Sequence, residues 1–405
     1  MPQTICLNMI VKDESDIIRD TLENIVRHVH IDYWVISDTG STDNTVKIIT
    51  DFFTTKNISG EIHHAHWVNF SHNRNLALKQ CEGKTDYILI FDADDRIEGN
   101  LILPQLTHDS YHMLMSNQGT NYYRPLLIKN NGQFFWRSVL HEFLESKSAS
   151  PSKSVIHGEY QIISGRFGKR SQDPDKYLKD ALLLEQAYEK NEDDDLKPRY
   201  AFYCAQSYRD AEYDEKAIEW YLKRIKLGGW IEEVTCSYEN LGICYEHRQD
   251  EKSALYYWLE GYDYNPQRIE CLYQAARLLR LQGKCRLAYQ LGIIAKNIPF
   301  PAQDILFVKK SIHDFWIYFE LSISAYYVNN FQLGYQCCKY ILLANPEPHI
   351  VDITLNNLIF YQQQARQDSK AEIQTLLNKL EQYQTVGNNI NTQAIIDYFK
   401  QCLAE

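Results

Sequence analysis

The stretch that most limits what this chain can become is Tyr87-Ile88-Leu89-Ile90-Phe91-Asp92-Ala93-Asp94-Asp95. The apolar and aromatic run Tyr87 to Phe91 reads as a strand buried on both faces. Three carboxylates follow at once, at Asp92, Asp94 and Asp95. Like charges that close raise one another's pKa unless a cation neutralises them. Asp92 and Asp94 are two apart, so in extended geometry they project to the same side. Two hard oxygen ligands at the carboxyl end of a strand suit Mg²⁺ or Mn²⁺ carrying a phosphorylated substrate. The plainer alternative is an acidic turn capping a helix that begins near Asn100.

The residues before this strand alternate between two periods. Ile5 to Val11 reads as a strand, and Lys12-Asp13-Glu14-Ser15 ends it and offers helix caps. Ile17, Ile18, Leu22, Ile25, Val26 and Val29 then fall at helical spacing. Tyr33 to Ser37 is a second buried strand, ending in the polar run Asp38 to Thr45 and a helix with Val46, Ile48, Ile49 and Phe52 inward. Glu61 to His66 is a weak strand and Ser71 to Cys81 a helix. Strand and helix in quick alternation mean right-handed crossovers and a mostly parallel sheet. Ligands bind such sheets beyond the carboxyl ends of the strands. Three of those ends carry polar groups, at Asn8 to Glu14, Asp38 to Asp43 and Asp92 to Asp95.

Further on, Tyr111 to Ser116, Tyr122 to Lys129 and Gln133 to Val139 alternate like strands, with Asn130-Asn131-Gly132 expected to join the last two as a hairpin. Ser154 to Ile163 is expected as one strand with His157 inside it. The basic loop Gly165 to Arg170 reads equally as a cover for phosphates and as a linker. His63, His64 and His66 alternate on a weak strand, are expected to lack a carboxylate or cysteine partner, and read as structural.

From Asp173 the pattern is helical to the end. Small residues recur twelve apart, at Ala205 and Ala217, Gly242 and Ala254, Ala276 and Ala288, Ser322 and Gly334. Small residues there let antiparallel helices approach closely, and the spacing resembles tetratricopeptide repeats, with at least four units from about Pro198 to about Pro348. The third junction is longer than the others and predicts an insertion around Pro301 to Ile312. Asp352 to Glu405 reads as a capping helix pair or two. A length of 405 residues suits two or three domains, and the boundary is placed between residues 170 and 171. A net charge of −11 without a Lys/Arg-rich tract argues against a nucleic-acid partner. The ten cysteines show no zinc spacing. No run is long enough to span a bilayer, and Met1 to Leu7 lacks a signal-peptide design. A cytoplasmic protein is the expectation.

Five stretches of the first half resemble family-2 glycosyltransferases of the GT-A fold: Asn8–Glu14 (NMIVKDE), Asp38–Thr45 (DTGSTDNT), Phe70–Leu78 (FSHNRNLAL), Phe91–Asp95 (FDADD) and Leu140–Phe143 (LHEF). With the tetratricopeptide-like junction that follows, the likeness covers roughly the first 230 residues in order. Its departures are Asp13, where the family more often has Asn, and Cys204. The fold class expected is therefore an α/β, Rossmann-like GT-A domain followed by an all-α helical solenoid.

The resemblance implies attack of a nucleophile on the anomeric carbon of a nucleotide-sugar, UDP-glucose or another UDP-hexose, with the nucleoside diphosphate leaving. Stabilising that leaving group is the main task, and a divalent ion bridging its phosphates does so as a Lewis acid. Asp94 is assigned the ion, Asp92 shares it, and His157 stands where many GT-A enzymes supply a histidine to Mn²⁺. Asp38 stands where the family reads the base; the alternative is a helix cap, but Ser41, Thr42 and Asp43 already supply capping atoms, so Asp38 is expected to be free for the nucleotide. Met9 and Val11 frame the base, Ala93 lies between the two donor-facing acids, and Glu14 is either a donor contact or a helix N-terminal charge. Arg74 offers a guanidinium fork to the diphosphate or the base edge. An inverting reaction needs a general base, assigned to Glu142 behind Trp136, whose bulk is expected to desolvate it. Asp95 and His141 compete for that role. A sugar nucleotidyltransferase would need a glycine-rich loop where Val11 to Glu14 stands, and none is there. The non-enzymatic alternative is a scaffold that binds through the repeats. The acceptor is a protein, a glycan or a small molecule, and the repeats are a possible homodimer surface.

Overall fold

The computed structural model describes residues 3–117, 120–165, 168, 170, 173–190, 193–384 and 389–405. By packing, the chain divides into two units, Met1–Ala211 and Glu212–Glu405.

The first unit opens with β1 (Ile5–Val11), α1 (Ile18–His28), β2 (Tyr33–Asp38), α2 (Thr45–Lys56), β3 (Gly60–His64), α3 (Phe70–Gln80) and β4 (Tyr87–Ile90). It continues with β5 (Arg96–Gly99), β6 (Ser110–Asn117), β7 (Thr120–Lys129), β8 (Phe134–Arg137), β9 (Phe143–Ser146), β10 (Lys153–Val155) and β11 (Tyr160–Ile163), then α4 (Lys176–Lys190) and α5 (Lys197–Asp210). One sheet runs β3-β2-β1-β4-β7-β6-β11-β5, with β10 paired to β6. The crossover strands β1 to β4 pair in parallel, and β7 enters antiparallel to both β4 and β6.

Period-two alternation assigns the faces. Ile5, Leu7, Met9 and Val11 enter a core with Ile18, Leu22 and Ile25 of α1 and Ile49, Phe52 and Phe53 of α2. Cys6, Val35, Ile88 and Ile90 enter a second core with Leu78 of α3 and Cys81 just past its end, and Trp136 closes it. Asn8 shares this second face. Its Nδ2 donates to Ala77 O at 3.1 Å, which ties β1 to α3.

Three expectations are corrected. Strand β8 does not pair with β7 across Asn130–Gly132; it forms a separate two-stranded sheet with β9, register Phe134↔Ser146 to Arg137↔Phe143. No helix begins near Asn100. The acidic run leads into β5 instead, so it is not a helix cap. The expected strand Ser154 to Ile163 is two strands, broken at Ile156 to Glu159. The two helices α4 and α5, which follow the 170/171 boundary, pack within the first unit. All ten cysteines are buried and free.

The second unit comprises α6 (Asp214–Leu227), α7 (Ile231–His247), α8 (Glu251–Tyr264), α9 (Glu270–Leu281), α10 (Cys285–Lys296), α11 (Ile317–Tyr327), α12 (Phe331–Leu343), α13 (Pro348–Leu358), α14 (Lys370–Gln384) and α15 (Thr392–Ala404). From α6 to α13, and again from α14 to α15, each helix packs on the next, the pattern of a repeat solenoid. The small residues sit where bulk is excluded. A Cβ on Gly242 of α7 would lie 2.2 Å from Trp258 Nε1 of α8, and that indole donates to Glu239 O at 2.9 Å. A Cβ on Gly334 would lie 2.3 Å from the Tyr361 ring. No helix among the described residues is long and apolar enough to cross a membrane.

Gly242→Ala should therefore destabilise the helical unit by about 1–3 kcal/mol, the usual cost of overpacking. A lowered urea midpoint for loss of helicity would register it, and Gly283→Ala is not an equivalent control because Gly283 has positive φ.

Candidate active site

Helix α3 is built so that its polar residues each hold something different. Asn69 caps it, accepting from His72 N at 2.8 Å. Asn73 pins the preceding loop through His66 O and Val68 N. Asn75 takes the backbone of Trp136 in both directions, at 2.8 and 2.7 Å, and so fixes β8 on the helix. Between them stands Arg74, 6% exposed.

Arg74 Nε donates to Glu142 Oε1 at 2.8 Å and its Nη2 to Asp92 Oδ1 at 2.7 Å. Arg124 Nη1 reaches the other Asp92 oxygen at 3.3 Å. Both guanidinium groups lie over the Trp136 ring, 5.0 and 5.7 Å from its centre. Trp136 Nε1 is buried without a partner among the described residues. The Arg124 contact follows from topology. The antiparallel register Tyr87↔Lys129 to Leu89↔Leu127, run past its last pair, carries β7 alongside the acids. Sequence reading missed Arg124; the available signal was a lone guanidinium ahead of the apolar run Leu126–Ile128.

The three aspartates differ. Burial works against the charged form of Asp92, but Arg74 and Arg124 outweigh it and hold Asp92 well below the usual carboxylate range. Burial, and then the charge of Asp92, pushes Asp94 up. Asp95 is 4% exposed, and burial together with the charges of Asp92 and Asp94 pushes it up to about 8. The chain after β11 closes on this edge. Gly165 N donates to Asp95 Oδ1 at 3.2 Å and Gly168 N to Asp94 Oδ2 at 3.4 Å. A Cβ on Gly165 would lie 1.8 Å from Asp94 O, so no other residue fits. The Gly165–Arg170 loop is thus no free linker at its glycines, although Arg166, Phe167 and Lys169 fall outside the described residues.

Glu14 joins the group. The point a Gly168 Cβ would occupy is 3.2 Å from Glu14 Oε1 and 3.3 Å from Asp94 Oδ2, so two carboxylates approach one small space. Mg²⁺ or Mn²⁺ needs only one or two carboxylates when phosphates complete the shell, and this pair fits that demand. Among the described residues, no three His, Cys, Asp or Glu side chains converge as a preformed cage. His157 does not join them. It is exposed in the turn between β10 and β11, beyond the Tyr160↔Gly99 end of the pairing, whereas the acids lie beyond the Ile163↔Arg96 end.

One other assignment changes. Asp38 is not free of local bonds: it accepts from Ser41 N at 3.0 Å and Gly40 N at 3.4 Å, and His64 Nδ1 lies 3.2 Å away. Asp43, not Asp38, bonds the first residue of α2. The Val11 carbonyl already accepts the Thr39 amide and hydroxyl, at 2.9 and 3.0 Å, and the Met9 side chain lies in the core. Ala93 is buried, its carbonyl held by Thr21 Oγ1 at 2.6 Å. Trp136 packs on the two arginines, and Glu142 is ion-paired to Arg74. His141 has φ +51, stacks on Tyr203 of α5 at 3.9 Å, and its carbonyl accepts from Arg199 Nη2 at 2.7 Å. Helix α5 therefore grips the turn that presents Glu142.

No curated protein matches the chain. Among solved structures it is similar to S. aureus TarS 1-349 in complex with UDP-GlcNAc, at 15% identity over 65% of this chain and 93% of that one, TM-score 0.36. It is also similar to the mannosyltransferase PcManGT of Pyrobaculum calidifontis in complex with GDP-Man and Mn²⁺, at 13% identity over 64% and 85%, TM-score 0.33. A tetratricopeptide repeat protein of Parabacteroides merdae is similar at 11% identity over 56% and 93%, TM-score 0.35. Residues 6–164, which span β1 to β11 and every acid described above, match the family model described as Glycosyl transferase family 2. The N-terminal part of this chain is therefore a family-2 glycosyltransferase domain, followed by a unit of helical repeats.

Proposed function

We propose that the first unit transfers a hexose from a nucleoside-diphosphate sugar, a UDP-hexose, with inversion, and that it depends on Mn²⁺ or Mg²⁺ held at Asp94 and Glu14. The observation that carries this reading is the unequal charge of the acidic rim. Asp92 is matched by Arg74 and Arg124, while Asp94 and Asp95 are pushed toward their protonated forms. A divalent cation and a diphosphate would complete such a rim, the cation supplying Lewis-acid stabilisation to the departing diphosphate.

The residues of the chain have distinct tasks in this scheme. Arg74 sets Asp92 and Glu142 at a fixed separation through one guanidinium. The loop from Asp38 to Asp43, ordered by the Asp38 carboxylate, borders the nucleotide side of the sheet. Glu142 takes the proton of the acceptor hydroxyl or thiol as general base. Asp95 is the alternative base, but it is buried and bonded by Gly165, so it orders the rim instead. The acceptor classes are a protein, a glycan or a small molecule.

Asp94→Ala should weaken UDP-hexose binding at least tenfold in the presence of Mn²⁺; calorimetric titration with and without the metal reads this. Affinity that ignores both the metal and the substitution would exclude the metal role. Glu142→Gln should keep donor binding but lower transfer by about 10²–10⁴-fold, the usual worth of a general base. Turnover retained at wild-type level would move the base elsewhere.

A pH dependence follows from Asp95. Its folded pKa of about 8 lies above the ordinary 3.8, so between those values the folded state holds a proton that the unfolded state has released. Stability of the metal-free protein should fall as pH rises through that window. Asp95→Asn should flatten the fall, as melting temperatures at pH 5 and pH 8 will show. Parallel curves for the two proteins would contradict this account.

A further inference from the structure

Between α10 and α11 the chain leaves the repeat pattern, and the excursion lies across two helices of the solenoid. Ile305 N and Leu306 N both donate to Glu232 Oε2, at 2.8 and 2.7 Å. Arg268 donates to the carbonyls of Leu306 and Phe307, at 3.3 and 3.4 Å. Lys309 N donates to Glu270 Oε1 at 3.2 Å. Two side chains add ion pairs, Asp304 to Arg268 at 3.3 Å and Lys309 to Glu239 at 2.6 Å.

The receiving surface is regular. Glu232, Cys236 and Glu239 are four and three apart on α7, one stripe of a helix. Arg268 and Glu270 adjoin it at the start of α9. Glu232 is 8% exposed, Glu239 3%, and Arg268 and Glu270 1% each. Buried charges are costly without partners, and here many of the partners are main-chain amides and carbonyls. A segment serving only to fill a core would bury its largest apolar side chains. This one does the reverse: Ile305 is 81% exposed and Phe307 50%, while Asp304, Leu306 and Val308 between them are half-buried. The surface holds the segment by its backbone, which bends at Leu306 and at Phe307, where φ is +49.

We propose that this face of α7 and α9 is a groove for a polypeptide segment held by its backbone, and that residues 304–309 are its intramolecular occupant. The groove selects an acidic residue for Arg268 and, five positions on, a lysine for Glu239, with an apolar residue between. A partner segment of that pattern takes the groove by displacing the strap. A tethered occupant competes at an effective concentration on the order of millimolar, so free peptide binds the native chain weakly. The inference rests on the helical unit alone and stands apart from the sugar chemistry.

The test uses the full chain with residues 302–309 replaced by a Gly-Ser stretch of equal length. The probe is a fluorescent peptide of residues 301–311. It should bind the replaced chain at least tenfold more tightly than the native chain. Alanine in the peptide at the Asp304 or Lys309 position should cost at least tenfold, and Glu232→Gln in the replaced chain should do the same. A replaced chain with native helicity that ignores the peptide, or binds a scrambled one equally, overturns the proposal. So does a chain that cannot fold without the strap. A second variant, Asp304→Ala with Lys309→Ala in the intact chain, should speed amide exchange at Ile305 and Leu306 and raise peptide affinity. Unchanged exchange together with unchanged affinity also counts against it.

Discussion

One buried guanidinium organises the first unit. Arg74 leaves α3, meets Asp92 beyond the end of β4 and Glu142 just before β9, and lies on the face of Trp136 from β8. Four segments, two of them more than 60 residues along the chain from Arg74, are thereby held at one point. Removing one partner of a buried ion pair typically costs about 3–5 kcal/mol, because the other charge stays behind. The same pairing decides the chemistry of the rim. It satisfies Asp92 and, with Arg124, uses up the cations in contact with the aspartates, so Asp94 and Asp95 are pushed toward their protonated forms.

What surrounds Arg74 serves to keep it still. Asn75 grips the Trp136 backbone, and Trp136 in turn separates and stacks against Arg74 and Arg124. Arg199 and Tyr203 of α5 hold the turn at His141, next to Glu142. Gly165 and Gly168 bring backbone amides onto Asp95 and Asp94 at distances that a side chain at Gly165 would forbid. These supports come from helix, hairpin and loop alike, and each fixes the direction of a charged group instead of adding apolar area.

The helical unit solves a different problem. Its helices approach closely because Gly242, Gly261, Gly292 and Gly334 leave room for Trp258, Tyr238, Leu321 and Tyr361. That close packing explains the regular recurrence of small residues. It does not explain the charged stripe on α7, which is matched by the backbone of the inserted segment.

Much of this was legible in the sequence. Alternating periods marked β1, β2, β4 and the three helices between them. The acidic edge of β4 and the Arg74 motif pointed to the site, because strand ends and helix faces are local consequences of residue order. The twelve-residue spacing of small side chains likewise marked the repeats. Pairing across long separations was not legible. Asn130–Gly132 looked like a hairpin, yet β8 left β7 for β9, because a turn signal says nothing about which strand offers the better face. Arg124 came to Asp92 only through the antiparallel entry of β7, and the separate pairing of β11 with β5 left His157 at the end away from the acids. Asp38 looked free until the fold turned its own loop amides toward it. Residue order by itself determined the elements and the kind of chemistry available; the tertiary structure alone decided which charges meet, since an ion pair depends on distance through space and not along the chain.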